Sequence, residues 1–164
     1  MHEELIEVVH EDNGELTGEA LPRAEVLKKQ LWCRTTNIYI LNRKGEVLCH
    51  QRSKNKVGHP GAWATHFGGH LSQGEIYESN AIKEVEEELG IHIPFTKLVP
   101  WRTTKNDNAR IWVREFMTVY DGDIQALPVQ KDEVEEIKWF TIEDIMDQRL
   151  REQAEQGRRL QVLF

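Results

Sequence analysis

Apolar residues along this chain keep two different periods, and the change of period marks its elements. "LIEVVHEDNGELTGEA" alternates on either side of Asn13-Gly14, which predicts a strand, a turn and a strand. In "LPRAEVLKKQLW", Pro22 is placed to open a short helix. "TTNIYILNRKGEVLCHQR" predicts a hairpin turning at Gly45, and the Gly-rich "SKNKVGHPGAWATHFGG" predicts a loop with a short strand around Trp63. From 76 to 89 the period lengthens. Ile82, Val85 and Leu89 recur at helical spacing, with Gly90 as the stop. "FTKLVPWRTT", "RIWVREFMTVYDG" and "VEEIKWF" predict three further strands. "TIEDIMDQRL" then opens a last helix, with Thr141 as N-cap and Ile142, Ile145, Met146 and Leu150 on one face. With no repeat and no low-complexity linker, the pattern predicts one α/β domain.

Composition narrows the class of protein. The chain has 164 residues, 39% hydrophobic and 30% charged, the balance of a folded domain. A net charge of −7 argues against an extended nucleic-acid surface, which leans on Lys and Arg. It leaves room for a small phosphorylated ligand whose charge a bound cation offsets. Cys33 and Cys49 form no CxxC motif, so reduced thiols are expected. The acidic start "MHEELIEVVHEDNGEL" is unlike a signal peptide, and no run has the length of a membrane span. The expectation is a cytoplasmic protein that binds neither a membrane nor a nucleic-acid polymer.

One helix carries the candidate chemistry. "KEVEEELG" places Glu84, Glu86, Glu87 and Glu88 within five positions, and like charges a helical turn apart repel. At about 100° per residue, Glu84, Glu87 and Glu88 fall within an arc of about 100°, opposite Ile82, Val85 and Leu89. Six of the chain's 28 acids lie between 75 and 88, against one base, Lys83. The loop "GGHLSQGE" ahead of the helix lets backbone carbonyls and Glu75 approach the same place. Hard cations such as Mg²⁺ take such oxygens and keep other positions for water and phosphate.

These residues carry a family pattern. Gly69, Glu75 and the run Lys83-Glu84-Val85-Glu86-Glu87-Glu88-Leu89-Gly90-Ile91 resemble the Nudix box at its set spacings. The box spans 69–91 within a single domain of residues 1–164, whose residues 1–33 read as an N-terminal arm. Lys83 stands where the box normally has arginine and lacks its bidentate fork. The flanks "HPGAWATHFGGHLSQGE" and "VEEIKWFTIEDI" resemble the branch related to type 1 isopentenyl-diphosphate isomerase. Gly68 occupies the place of that branch's essential cysteine, and Cys33 stands where it often has histidine.

The resemblance implies a Nudix fold, an α/β/α sandwich with a mixed central sheet and a loop–helix–loop. It implies a hydrolase of a nucleoside diphosphate derivative or another organic diphosphate that uses Mg²⁺ (or Mn²⁺). An isomerase of isoprenoid diphosphates and a non-catalytic ligand-binding module are the alternatives, and a homodimer is an open expectation. Expected metal ligands are Glu84, Glu87, Glu88 and the Gly69 carbonyl. Glu75 either orients the helix through Lys83 or serves as base. Glu115, in strand phase with Val113 and Met117, is either an additional ligand from outside the box or an edge residue, with Glu133 as a loop alternative. His70, Arg23 and Arg34 are the expected substrate contacts. Trp101 and Trp112 are either stacking platforms or core, while Trp139 and Phe140 are assigned to packing.

Overall fold

The structure is a computed structural model and describes residues 4–55 and 59–156. The arm is a two-stranded antiparallel sheet, β1 (Leu5–Val9) with β2 (Leu16–Pro22), followed by the short helix α1 (Arg23–Lys28). In its turn the Asn13 side-chain oxygen accepts the Glu15 N–H at 3.0 Å and Gly14 takes φ 72°. The arm buries Ile6, Val8 and Val26 against Cys33 in a core of its own. Arg34 then ties it to the rest of the molecule, pairing with Glu7 at 2.6 Å and donating to the Glu75 carbonyl at 3.3 Å.

The main sheet is mixed. β3 (Cys33–Leu41) runs parallel to β7 (Ile111–Val119), and β6 (Val99–Asn106) closes the β7 edge antiparallel. β4 (Val47–Arg52) follows β3 through a turn in which Asn42 accepts the N–H groups of Lys44 and Glu46, both at 3.0 Å. β5 (Trp63–Ala64) and β8 (Val134–Phe140) both pair with β4.

The hairpin parts soon after its turn, since β3 and β4 pair only at Leu41 and Val47. The loop predicted from glycine content fills the gap as a ladder along β3. Phe67 and Ile38 exchange both hydrogen bonds at 3.0 and 2.8 Å, Thr36 donates to Gly69 at 3.0 Å, and Leu71 donates to Arg34 at 3.0 Å. The two adjacent glycines are thereby fixed in the split of the sheet.

α2 (Tyr77–Leu89) lies over this split. Ala81, Val85 and Leu89 are fully buried against Ile38, Ile40, Leu48, Phe67 and Phe116. The helix stops at Gly90, which takes φ 68° and returns its N–H to Glu86 at 2.9 Å. A Cβ there would also come within 2.5 Å of Pro128, so glycine is required for space as well as conformation.

The last helix, α3 (Ile142–Gln156), begins with a reciprocal cap: Asp144 donates its N–H to the Thr141 hydroxyl at 3.1 Å, and Thr141 returns its own to the Asp144 carboxylate at 3.0 Å. The apolar face expected on it is only partly used. Ile145 is half-buried while Ile142 and Met146 are exposed, because α3 meets the sheet along a narrow seam at Cys49, Trp63 and Phe140. Leu150's side chain lies outside the described residues. Among the described residues no helix is long and apolar enough to cross a membrane.

Candidate active site

A cleft of about 440 Å³ opens where β3 and β4 part. Glu84, Glu87 and Glu88 of α2 line it, together with His50 and Arg52 of β4 and His66. Gly68, Gly69 and His70, Arg23 from the start of α1, and Glu133 ahead of β8 line it as well. Two local rules are broken to build the acidic wall. The glutamates repel each other, and they sit near the C-terminal end of a helix whose last turn has no base, where the dipole disfavours negative charge. Such conflicts between sequence and local structure concentrate at functional sites.

Glu84 is largely buried, with a side chain only 17% exposed. Burial pushes its carboxyl up to about 7, with Lys83 opposing and Glu87 and Glu75 reinforcing. Gly69 lies directly against it: a Cβ there would sit 2.7 Å from Glu84 Oε2. The Gly69 carbonyl, expected as a ligand, already accepts the Thr36 N–H and can reach an ion only through its second lone pair. The Glu88 side chain accepts the Gly68 N–H at 3.4 Å.

Behind this wall, Asn80 is a hub that the sequence reading missed. It is fully buried, accepts the Thr36 hydroxyl at 2.5 Å, and donates to the His70 carbonyl and to Glu75 at 3.0 Å each. A longer contact of 3.4 Å reaches Glu84. The available signal was a short polar residue one helical turn before Glu84, beside the apolar stripe.

Glu75 is surrounded by donors. Lys83 Nζ stands 2.6 Å away, the Ser72 N–H donates at 2.8 Å, and Asn80 supplies the third contact. Burial works to raise its carboxyl, but these three donors outweigh it and hold Glu75 below the usual carboxylate range. Glu75 does not line the cleft, so its geometry suits orienting Lys83 and the helix rather than proton abstraction.

Two expected site residues lie elsewhere. Glu115 is 2% exposed and ion-paired with Arg102, away from the cleft. Its phase with Val113 and Met117 turns it to the sheet face opposite α2, whereas its neighbour Phe116 joins the core beneath the helix. Arg34 is spent on Glu7 and the Glu75 carbonyl, so it ties elements together instead of facing a ligand. The loop alternative Glu133, together with Arg23 and His70, does line the cleft. Trp101 is about half exposed at the sheet edge and Trp112 packs against Gly14, neither of them in the cleft.

The donors on the acidic wall are hard oxygens suited to Mg²⁺ or Mn²⁺. Among the described residues no three carboxylate, imidazole or thiol groups stand close enough together to hold an ion unaided. A cation there would complete its shell with water and substrate oxygens, the habit of Mg²⁺ rather than of a closed structural site.

Comparison with known proteins agrees with this architecture. Residues 31–161 match the NUDIX domain family. An uncharacterized Nudix hydrolase of Pseudomonas aeruginosa is 32% identical over 137 residues, spanning 84% of this chain and 78% of the relative. The crystal structure of DR0079 from Deinococcus radiodurans shares the fold at a TM-score of 0.74 and 20% identity, covering 95% of this chain and 100% of its own. A bifunctional NMN adenylyltransferase/ADP ribose pyrophosphatase from Francisella tularensis, complexed with AMP and a Mn ion, matches at a TM-score of 0.51 and 19% identity over 75% of this chain and 41% of that one. With its mixed sheet, its box helix and a curated relative of this name, the chain belongs to the NUDIX domain family and is a Nudix hydrolase.

Proposed function

We propose that this chain hydrolyses a nucleoside diphosphate derivative or another organic diphosphate, with water attacking phosphorus under a divalent cation. The observation that carries the reading is a single cleft lined by three α2 glutamates together with Arg23 and Arg52. Glu84, Glu87 and Glu88 are the residues that would hold Mg²⁺ or Mn²⁺. When bound, the ion offsets phosphate charge and lowers the pKa of a coordinated water. The chain does the remaining work. Asn80 and Gly69 fix Glu84, the Glu75–Lys83 pair holds the helix start, and Arg23 and Arg52 provide positive charge for phosphate oxygens.

The isomerase alternative is disfavoured by the backbone. Gly68 takes φ 137°, and a Cβ there would lie 2.1 Å from the Thr36 carbonyl. The position of the isomerases' cysteine is thus shaped for a residue without a side chain.

The test is a panel of diphosphates, including dinucleoside polyphosphates, sugar nucleotides and prenyl diphosphates, incubated with Mg²⁺ or Mn²⁺. Hydrolysis that falls at least ~100-fold in Glu87→Gln is expected. Metal-independent turnover, or conversion of isopentenyl to dimethylallyl diphosphate, would overturn the reading.

A further inference from the structure

The N-terminal arm reaches the glutamates of α2 through the loop that precedes the helix. One edge of β1 pairs with β2, and its other edge takes the loop. Gln73 donates its N–H to the Leu5 carbonyl at 2.8 Å, and Ile6 forms an antiparallel bridge with Ser72. The Ser72 hydroxyl also donates to the Glu4 carboxylate at 3.0 Å. Ser72 is thus held on the arm while its own N–H donates to the Glu75 carboxylate at 2.8 Å.

Arg34 fastens the same loop a second time. Its guanidinium pairs with Glu7 of β1 at 2.6 Å, donates to the Glu75 carbonyl at 3.3 Å, and lies over the Tyr77 ring, 5.4 Å from its centroid. A guanidinium can serve both acceptors because its donors form a rigid fork. The side chains of Arg34 and Glu7 are only 13% and 17% exposed, so solvent screens the pair little. The Arg34 backbone carbonyl takes the Leu71 N–H at 3.0 Å as well. Glu75 is therefore gripped at both ends, its carbonyl by Arg34 and its carboxylate by Ser72, Asn80 and Lys83. Lys83 and Asn80 in turn reach Glu84, at 3.8 and 3.4 Å. The arm's own core of Ile6, Val8 and Val26 on Cys33 requires none of these bonds.

We infer that Arg34 is a positioning residue: joined to Glu7, it couples the N-terminal arm to Glu75, so that the arm sets where Glu75 stands and, through Lys83 and Asn80, where Glu84 meets a cation. The cation half of this inference rests on the diphosphate reading above, whereas the coupling of arm to loop does not.

Two measurements on the full chain test it. One is hydrogen exchange at the Gln73 N–H, and the other is Mn²⁺ binding by calorimetry at a temperature where each variant is fully folded. Arg34→Met keeps an apolar stem on Tyr77 and removes every side-chain donor. It is expected to speed Gln73 exchange at least ~10-fold beyond any change shared by core amides, and to weaken Mn²⁺ binding about tenfold. Arg34→Lys, which keeps the charge for Glu7 without the fork, is expected to recover part of both losses. Val26→Ala opens a cavity in the arm's core and leaves the loop bonds in place. It is expected to lower the unfolding midpoint and leave Mn²⁺ affinity unchanged. If Arg34→Met does not fold, the Glu7→Gln/Arg34→Met double variant strands no buried charge and gives the same comparison. Unchanged Gln73 exchange or unchanged Mn²⁺ affinity in the Arg34 variant would overturn the inference, as would an equal loss of affinity in Val26→Ala. A native chain that takes up no Mn²⁺ would strike the diphosphate reading, while Arg34-dependent exchange at Gln73 would still support the coupling.

Discussion

Asn80→Ala gives the most demanding test of how the site is held. The substitution removes an amide that is fully buried, accepts from Thr36 at 2.5 Å and donates to the His70 carbonyl and Glu75 at 3.0 Å. Thr36 is only 1% exposed, so its hydroxyl loses its acceptor where water cannot replace it. One such orphaned group costs about 1–3 kcal/mol. Glu75 loses less, because Ser72 and Lys83 still serve it. Adding the His70 carbonyl and the small void left by the amide, we expect a loss of about 3 kcal/mol, a large share of a typical domain's stability. Urea unfolding should show a lower midpoint at unchanged slope. Asn80→Asp is the matched control: it keeps the shape and the acceptor for Thr36, but turns oxygens toward Glu75 and Glu84. At pH 7 it should be at least as damaging as Asn80→Ala. Mg²⁺ affinity, followed by calorimetry, should fall about tenfold in both as the Glu84 and Glu75 side chains lose their anchor. A stability loss below ~1 kcal/mol in Asn80→Ala, or an Asn80→Asp protein milder than it, would refute the hub.

Three further outcomes are expected. Arg102→Ala should leave Glu115 buried without its partner and cost about 2–3 kcal/mol, the modest end for such a pair because Arg102 is partly exposed. Mg²⁺ binding unchanged in that variant would agree with Glu115 lying outside the site, and a large drop would contradict it. Stability should decline on acidification because burial holds His50 neutral down to a pKa of about 3 when folded, against 6.5 for an ordinary histidine. The unfolded chain takes up the proton first, so stability is full above pH 6.5 and erodes as pH falls toward 3, by roughly 2 kcal/mol at pH 5 from this residue alone. Unfolding midpoints across that range should flatten in His50→Phe; an unchanged profile would refute the assignment. Lys83→Arg should raise turnover, since a guanidinium can serve Glu75 and Glu84 together where Lys83 Nζ stands 2.6 Å from one and 3.8 Å from the other. Equal kcat in the two proteins would show that the single contact suffices.

The acidic side of the cleft was legible because its residues belong to one local element. Glu84, Glu87 and Glu88 share a side of α2 because helical geometry converts sequence spacing directly into direction. The same rule placed Val85 and Leu89 inward and Gly90 at the stop. Glu115 shows where that reasoning ends. Alternation along β7 shows that Glu115 and Phe116 face opposite ways, but not which face meets α2. Arg34 resembles a ligand contact until its long-range partner Glu7 is known. Asn80 escaped notice because its role depends on a residue remote in sequence, Thr36.

The chain by itself determined the helix that gathers three carboxylates, the stop behind it, the hairpin turns and the family pattern, all of which follow from spacing within a single element. Only the tertiary structure decided that β3 leaves β4, that residues 67–71 enter the gap, and that three histidines and two arginines thereby join the glutamates around one cleft. The physical reason is range. Periodicity reports the direction of a side chain about its own backbone axis, whereas a cleft is made by contacts between strands whose separation in sequence carries no such regularity.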